Sequence, residues 1–166
     1  MTAFDSKTRE LESSIGCGGL WGLTYSFTIA RRRSQAMHDP EKIVHAIAAH
    51  AKWKFYLRQA IETGTSEWTV AEVRPDNQCE FGTWLLALPP GDRGSQRWEE
   101  VCRLHAEFHK EAAEVLRLAL GGRRAEAEAA IAQGSRFAKV STKLTITMTA
   151  WRKAIESQAA SPPRQP

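Results

Sequence analysis

Two histidines placed four residues apart are the residues of this sequence whose type and spacing most directly suggest chemistry. His105 and His109 lie in the run 101–110, whose pattern is helical. On an α-helix, the side chains at positions i and i+4 lie on one face, about one turn apart. The two imidazoles therefore point the same way and supply half of a tetrahedral metal site. The other ligands must come from elsewhere in the chain.

Both histidines lie on the apolar side of the predicted helix. The residues that share this side recur at spacings of three and four, and they are Trp98, Val101, Cys102, Phe108, Ala112, Leu116 and Ala119. Two adjacent imidazoles are a costly way to fill a core, because each needs a hydrogen-bond partner there. A metal removes this objection, since each neutral ring donates a lone pair to it. The alternative interpretation is that each histidine is a core residue with a local hydrogen bond.

His50 and Cys79 are the other candidate ligands. His50 lies on the helical face marked by Ile43, Ile47, Leu57 and Ile61, whereas His45 is rotated from it by about 140°. Cys79 begins the short apolar segment 79–86. Three imidazoles and one thiolate form a donor set that suits Zn²⁺ better than Mg²⁺ or Ca²⁺.

The elements that must position these residues are predicted to be helices. Asp39 and Pro40 are typical of a helix start, and Ser95 is a plausible N-cap for the helix of the two histidines, which runs to Gly121. Residues 65–78 are predicted to be a loop, 79–86 a brief helix and 123–132 an alanine-rich helix. A last amphipathic helix is marked by Phe137, Val140, Leu144, Met148, Trp151 and Ile155.

No run of period-two strands or internal repeat is visible, so the predicted class is all-α. The simplest architecture is a four-helix bundle with a short additional helix that carries the cysteine ligand. We expect residues 1–38 to be a poorly ordered N-terminal extension, 39–158 to be the bundle and 159–166 to be a disordered tail. Met37 directly precedes the first convincing helix start and is an alternative start of translation.

Composition and charge narrow the function classes. A chain of 166 residues with 42% apolar and 25% charged residues is typical of one globular domain. The net charge is only +4 and charges of both signs alternate along the helices, which argues against a nucleic-acid groove. The apolar stretch 15–30 is too short and polar for a membrane span, so no membrane contact is expected. Three widely spaced cysteines form no disulfide framework and favour a reducing cytoplasm.

Three segments resemble the chemoreceptor zinc-binding domain family, abbreviated CZB. They are His50-Ala-Lys-Trp53, Cys79-Glu-Phe81-Gly82-Thr-Trp84 and His105-Ala-Glu-Phe108-His109. The family pattern is a histidine ahead of Trp-Lys, then Cys-x-Phe-Gly-x-Trp, then His-x₃-His, and the resemblance covers about residues 40–157. It implies a helical bundle that binds one Zn²⁺ per chain through His50, Cys79, His105 and His109, and it suggests a homodimer.

The resemblance implies a regulatory protein of the cytoplasm. Family members are attached to bacterial chemoreceptors or diguanylate cyclases, or stand alone, so this chain would act through such a partner. Both oxidant sensing, for example of hypochlorous acid, and zinc sensing are associated with the family's cysteine, and the residues do not choose between them. A structural zinc staple without redox switching is the alternative function.

An enzyme is disfavoured by the same residues. Four protein ligands leave no position on zinc for a water, and no histidine has a glutamate three residues before it, as di-iron bundles require. Cys102 is either a small core residue or a thiol that reacts with an oxidised Cys79. Trp53 and Trp84 are either ordinary core residues or a cover that keeps the metal dry.

Overall fold

A computed structural model describes residues 39–160 of the chain, and this part contains six helices and no strand. The helices are α1 (Pro40–Thr63), α2 (Val70–Val73), α3 (Glu80–Ala87), α4 (Gln96–Leu120), α5 (Arg124–Ile131) and α6 (Arg136–Ala160). The all-α prediction is therefore confirmed. The predicted extension 1–38 and residues 161–166 of the predicted tail lie outside the described residues, whereas α6 continues through residues 159 and 160 of that tail.

Three long helices and the shorter α5 form the bundle. α4 packs against both α1 and α6, and α5 packs against all three. The six residues predicted to mark the inner face of α6 are all buried, and α1 and α4 bury the faces predicted for them, with Ile47, Trp98 and Cys102 only half-buried. Apart from His105, the largest fully enclosed side chains are apolar, and they include Ile43, Leu57, Leu104, Phe108, Leu116, Leu144 and Met148. This core fixes the histidine-bearing helices relative to one another.

The helix ends follow from local side-chain chemistry. The side chain of Asp39 accepts a hydrogen bond from the amide of Glu41 at 2.9 Å, and that of Ser95 accepts one from Trp98 at 3.2 Å. Both N-caps agree with the sequence prediction. Gly64 ends α1 with a φ of 70°, a left-handed conformation that glycine adopts without steric cost.

The segment between α1 and α4 is built differently from the rest. It contains only α2 and α3, of four and eight residues. The predicted loop at 65–78 missed α2, which is stabilised by a reciprocal capping box between Thr69 and Glu72. Val73, Phe81, Leu85 and Leu88 hold this segment against the bundle as buried side chains. None of the helices within residues 39–160 is long and apolar enough to cross a membrane.

Candidate metal centre

The four residues predicted to bind zinc lie together inside the bundle. His50 comes from the middle of α1, His105 and His109 come from α4, and Cys79 is the residue directly before α3. One potential ligand atom from each residue lies within 4.8 Å of those of the other three. The three histidines are buried and Cys79 is half-buried. Residues separated by up to 59 positions therefore form one cluster of nitrogen and sulfur donors.

Two of the separations within the cluster have about the size of the edges of a zinc tetrahedron. The Cys79 Sγ atom lies 3.3 Å from His105 Nε2, and His105 Nε2 lies 3.2 Å from His109 Nε2. Zinc bonds of about 2.3 Å to sulfur and about 2.0 Å to nitrogen give tetrahedral edges of about 3.3–3.6 Å. The other separations are within 4.8 Å, so the donors would draw closer together around such an ion.

Backbone carbonyls orient two of the rings. His50 Nδ1 lies 2.6 Å from the carbonyl oxygen of Ala46, and His109 Nδ1 lies 2.7 Å from that of Val73. A carbonyl only accepts hydrogen bonds, so each Nδ1 carries the proton and each Nε2 keeps its lone pair for a metal. Sequence reasoning missed both carbonyls, because a backbone group leaves no signal in the residue type that carries it.

The amide of Gly82 positions the cysteine. Cys79 caps the N-terminus of α3, and its Sγ accepts a hydrogen bond from the Gly82 N–H at 3.2 Å. A Cβ atom added to Gly82 would lie 1.8 Å from the carbonyl oxygen of Asp76, so this position has no space for a side chain. The glycine lets the chain before Cys79 fold back onto α3, which brings the sulfur to His105.

Burial sets the protonation of the cluster. It lowers the pKa of His50 to about 4 and that of His105 to about 2, and the neighbouring histidines add to both effects. Burial also lowers the pKa of His109. The imidazoles are therefore neutral near pH 7, which is the form that binds metals. Burial raises the pKa of Cys79, so its thiolate needs a nearby cation.

Phenylalanine rings contact the histidine rings. Phe81 meets His50 and His105 edge-on at centroid distances of 5.9 and 5.2 Å, and Phe108 lies 5.0 Å from His50. Trp53 and Trp84 are half-buried and line a cavity beside the cluster. The apolar rings around the donors give the site a low dielectric, which strengthens its electrostatic interactions.

Two further residues considered in the sequence lie outside the cluster. His45 is exposed, in agreement with its predicted rotation away from His50. Cys102 is half-buried one turn before His105, and burial raises its pKa to about 11. A thiol with that pKa is protonated near neutral pH and is a weak nucleophile.

Comparison with known proteins finds a match to a zinc-binding family. Residues 50–116 match the family model described as the chemoreceptor zinc-binding domain, CZB, and this range begins at His50 and includes the other three donors. The resemblance inferred from the three sequence segments is thereby confirmed, and zinc is the metal of the matched domain. Searches of the curated proteins and of the solved structures gave no match.

Proposed function

We propose that this chain, whose residues 50–116 match a chemoreceptor zinc-binding domain, binds one Zn²⁺ through His50, Cys79, His105 and His109 and uses Cys79 as a chemical switch. The observation that carries the proposal is the convergence of three neutral imidazoles and one thiol within 4.8 Å. Four protein donors complete a tetrahedron, which suits binding and regulation better than hydrolysis.

Cys79 is the donor that can change chemically. Bound zinc would supply the positive charge that keeps its sulfur a thiolate despite burial. The N-terminus of α3 and the Gly82 N–H also favour the negative sulfur. With hypochlorous acid, the thiolate gives up two electrons, an S–O bond forms and chloride leaves. The product is a sulfenic acid, which is a poorer ligand.

Loss of the bond between Cys79 and zinc would first change the packing of the segment that carries Cys79. The three histidines lie on the long helices α1 and α4, which the core holds. Cys79 lies between the short helices α2 and α3, and the His109 ring also contacts this segment through the carbonyl of Val73. A change at the cluster would therefore alter the packing of residues 65–95, and a partner could bind one of the two states.

A titration of the zinc-loaded protein with hypochlorous acid tests the switch. Zinc released to a chromophoric chelator is followed while modified cysteines are mapped by mass spectrometry. We expect zinc release in step with Cys79 modification, reversed by a thiol reductant while the product is still a sulfenic acid. Reaction of Cys17 or Cys102 before Cys79, with zinc retained, would instead support a structural zinc staple. Release only when zinc is scarce would identify zinc supply as the signal.

The proposal places this regulation in the cytoplasm, in a homodimer that acts through a chemoreceptor or a diguanylate cyclase. A reducing compartment keeps Cys79 available, and Phe55 and Ile146 are large apolar side chains on the outer surface that could support association. Light scattering at micromolar concentration should give twice the mass of the chain. A mass of one chain would remove the dimer from the proposal and leave the zinc site unaffected.

A further inference from the structure

A cavity of about 90 Å³ lies between α1 and α3 and borders the metal cluster. Three of the four donors line it, namely His50, Cys79 and His109. Its lining also includes exposed residues such as Ala49 and Glu80, so the cavity extends from the buried cluster towards solvent. A space of this size has room for about three water molecules.

The walls are apolar and carry little net charge. Ala46 and Ala49 line the side formed by α1 together with His45, and the lining includes the large aromatic side chains of Trp53, Phe81 and Trp84. The formally charged residues of the lining are Lys42 and Glu80, which form an ion pair at 2.7 Å. Alanine and indole surfaces favour small molecules with little charge, because an ion would lose its hydration there.

We infer that this cavity is the entry path to the Cys79 sulfur, that it admits small uncharged molecules, and that Ala49 determines its width. The inference rests on the proposed function only for the identity of the natural reagent, an uncharged oxidant such as hypochlorous acid or hydrogen peroxide. The path itself is a property of the fold. Ala49 is the informative position because it lies on the lining, is exposed and is small. A longer side chain there fills the cavity without entering the core.

The test compares reagents of different size on the full-length, zinc-loaded protein. Iodoacetamide is small and uncharged, and it reacts by forming an S–C bond while iodide leaves, so it requires no oxidant. A maleimide carrying a bulky polymer reacts with the same sulfur but is too large for the cavity. Mass spectrometry gives the rate at Cys79 separately from the rate at Cys102, which serves as an internal reference.

Three variants on α1 isolate the cavity. Ala49→Leu should slow the reaction of iodoacetamide with Cys79 on the order of tenfold, because access limits the rate. Ala49→Ser keeps the side chain small and should react as the wild type does. Ala48→Leu is the matched control, since Ala48 is also exposed on α1 but does not line the cavity. All three should retain zinc, because none of them alters a donor.

Two results would overturn the inference. One is an Ala49→Leu protein whose Cys79 reacts with iodoacetamide as fast as in the wild type. The other is a wild-type Cys79 that reacts with the bulky maleimide as fast as with a small maleimide that lacks the polymer. Both results are independent of oxidant sensing, because neither reagent is an oxidant. Conversely, the protein could give the expected alkylation rates and still keep its zinc in hypochlorous acid. That result would support the entry path and contradict the proposed switch.

Discussion

The three histidines and the cysteine of the metal cluster belong to regions that are stabilised differently. The histidines form the rigid half of the site, and Cys79 lies on a weakly built segment between two short helices. His50, His105 and His109 project from helices of 24 and 25 residues that the apolar core holds together. Cys79 lies between helices of four and eight residues, and its position depends on a hydrogen bond from Gly82 and on a close backbone approach at Asp76. Short helices gain little stability on their own, so they depend on tertiary contacts.

This difference assigns different tasks to the two regions. Three rigid donors can hold a metal in a fixed place, while the fourth donor can leave without unfolding the bundle. In the proposed switch, the donor that oxidants attack, Cys79, is also the donor between the two short helices. Substitutions in the two regions should therefore separate zinc binding from the response to oxidation.

The largest expected effect is at the centre of the rigid half. His105 Nε2 lies within 3.3 Å of both Cys79 Sγ and His109 Nε2, so His105→Ala removes the donor that lies next to two of the others. Zinc content measured by mass spectrometry should fall from about one ion per chain to nearly none. His45→Ala is the control, since His45 is exposed on α1 and outside the cluster, and it should keep its zinc. Undiminished zinc in His105→Ala would refute the ligand assignment.

Removal of the Cys79 donor should lower zinc affinity less than removal of His105 does. It should abolish the release of zinc by hypochlorous acid. Cys79→Ala leaves three imidazoles on the long helices, so zinc should still bind, with an affinity lowered by more than about 100-fold. Because the cysteine is absent, hypochlorous acid should then no longer release zinc as the oxidant is titrated. Competition with a chelator measures the affinity, and Cys102→Ala is the matched cysteine control. Equal affinities of Cys79→Ala and wild type would place the sulfur outside the site.

Gly82→Ala should disturb the cysteine without removing it. The new Cβ would lie 1.8 Å from the Asp76 carbonyl oxygen, so the backbone before Cys79 must move and the sulfur with it. We expect zinc affinity to fall by about 10- to 100-fold, as for other changes outside the direct ligands. Gly91→Ala provides the control, because a Cβ there meets no atom within 4 Å. Circular dichroism should show the long helices retained in both variants, and a global loss of helix would contradict the separation of the two regions.

The sequence predicts the rigid half of the site better than the other half. The i, i+4 spacing of His105 and His109 is a local signal that helix geometry converts directly into a shared face. The buried faces of α1, α4 and α6 follow from apolar periodicity in the same way. Sequence periodicity therefore places three of the four candidate donors on buried faces, where the structure has them.

The position of Cys79 depends on interactions that residue types do not reveal. The helix α2 has only four residues, too few for a periodic pattern, and it depends on the Thr69–Glu72 capping box. The orientation of His109 depends on a carbonyl at Val73, a residue that the sequence marks only as apolar. Only the resemblance to a family pattern singled out Cys79 and Gly82 together. Contacts of backbone atoms, such as the Val73 carbonyl and the Gly82 N–H, fix the orientation of His109 and the position of Cys79.

The smallest expected effect concerns the ion pair between Lys42 and Glu80, which joins the first turn of α1 to the first residue of α3. Both side chains are exposed, so water and salt screen the attraction. Lys42→Met keeps the aliphatic stem and removes the charge, and it should speed zinc transfer to a chelator by about twofold at low ionic strength. At high salt the difference from wild type should vanish.

Lys54→Met removes a charge of the same sign from another exposed position of α1, away from the cavity, and serves as the control. A salt-dependent effect of Lys42→Met that Lys54→Met lacks would show that the attachment of α3 to α1 contributes to zinc retention. Equal behaviour of the two variants would mean that the buried side chains of the segment, such as Phe81 and Leu85, hold Cys79 in place without the ion pair. The segment that carries Cys79 would then depend on its buried side chains and on its own hydrogen bonds, such as that from Gly82 to Cys79.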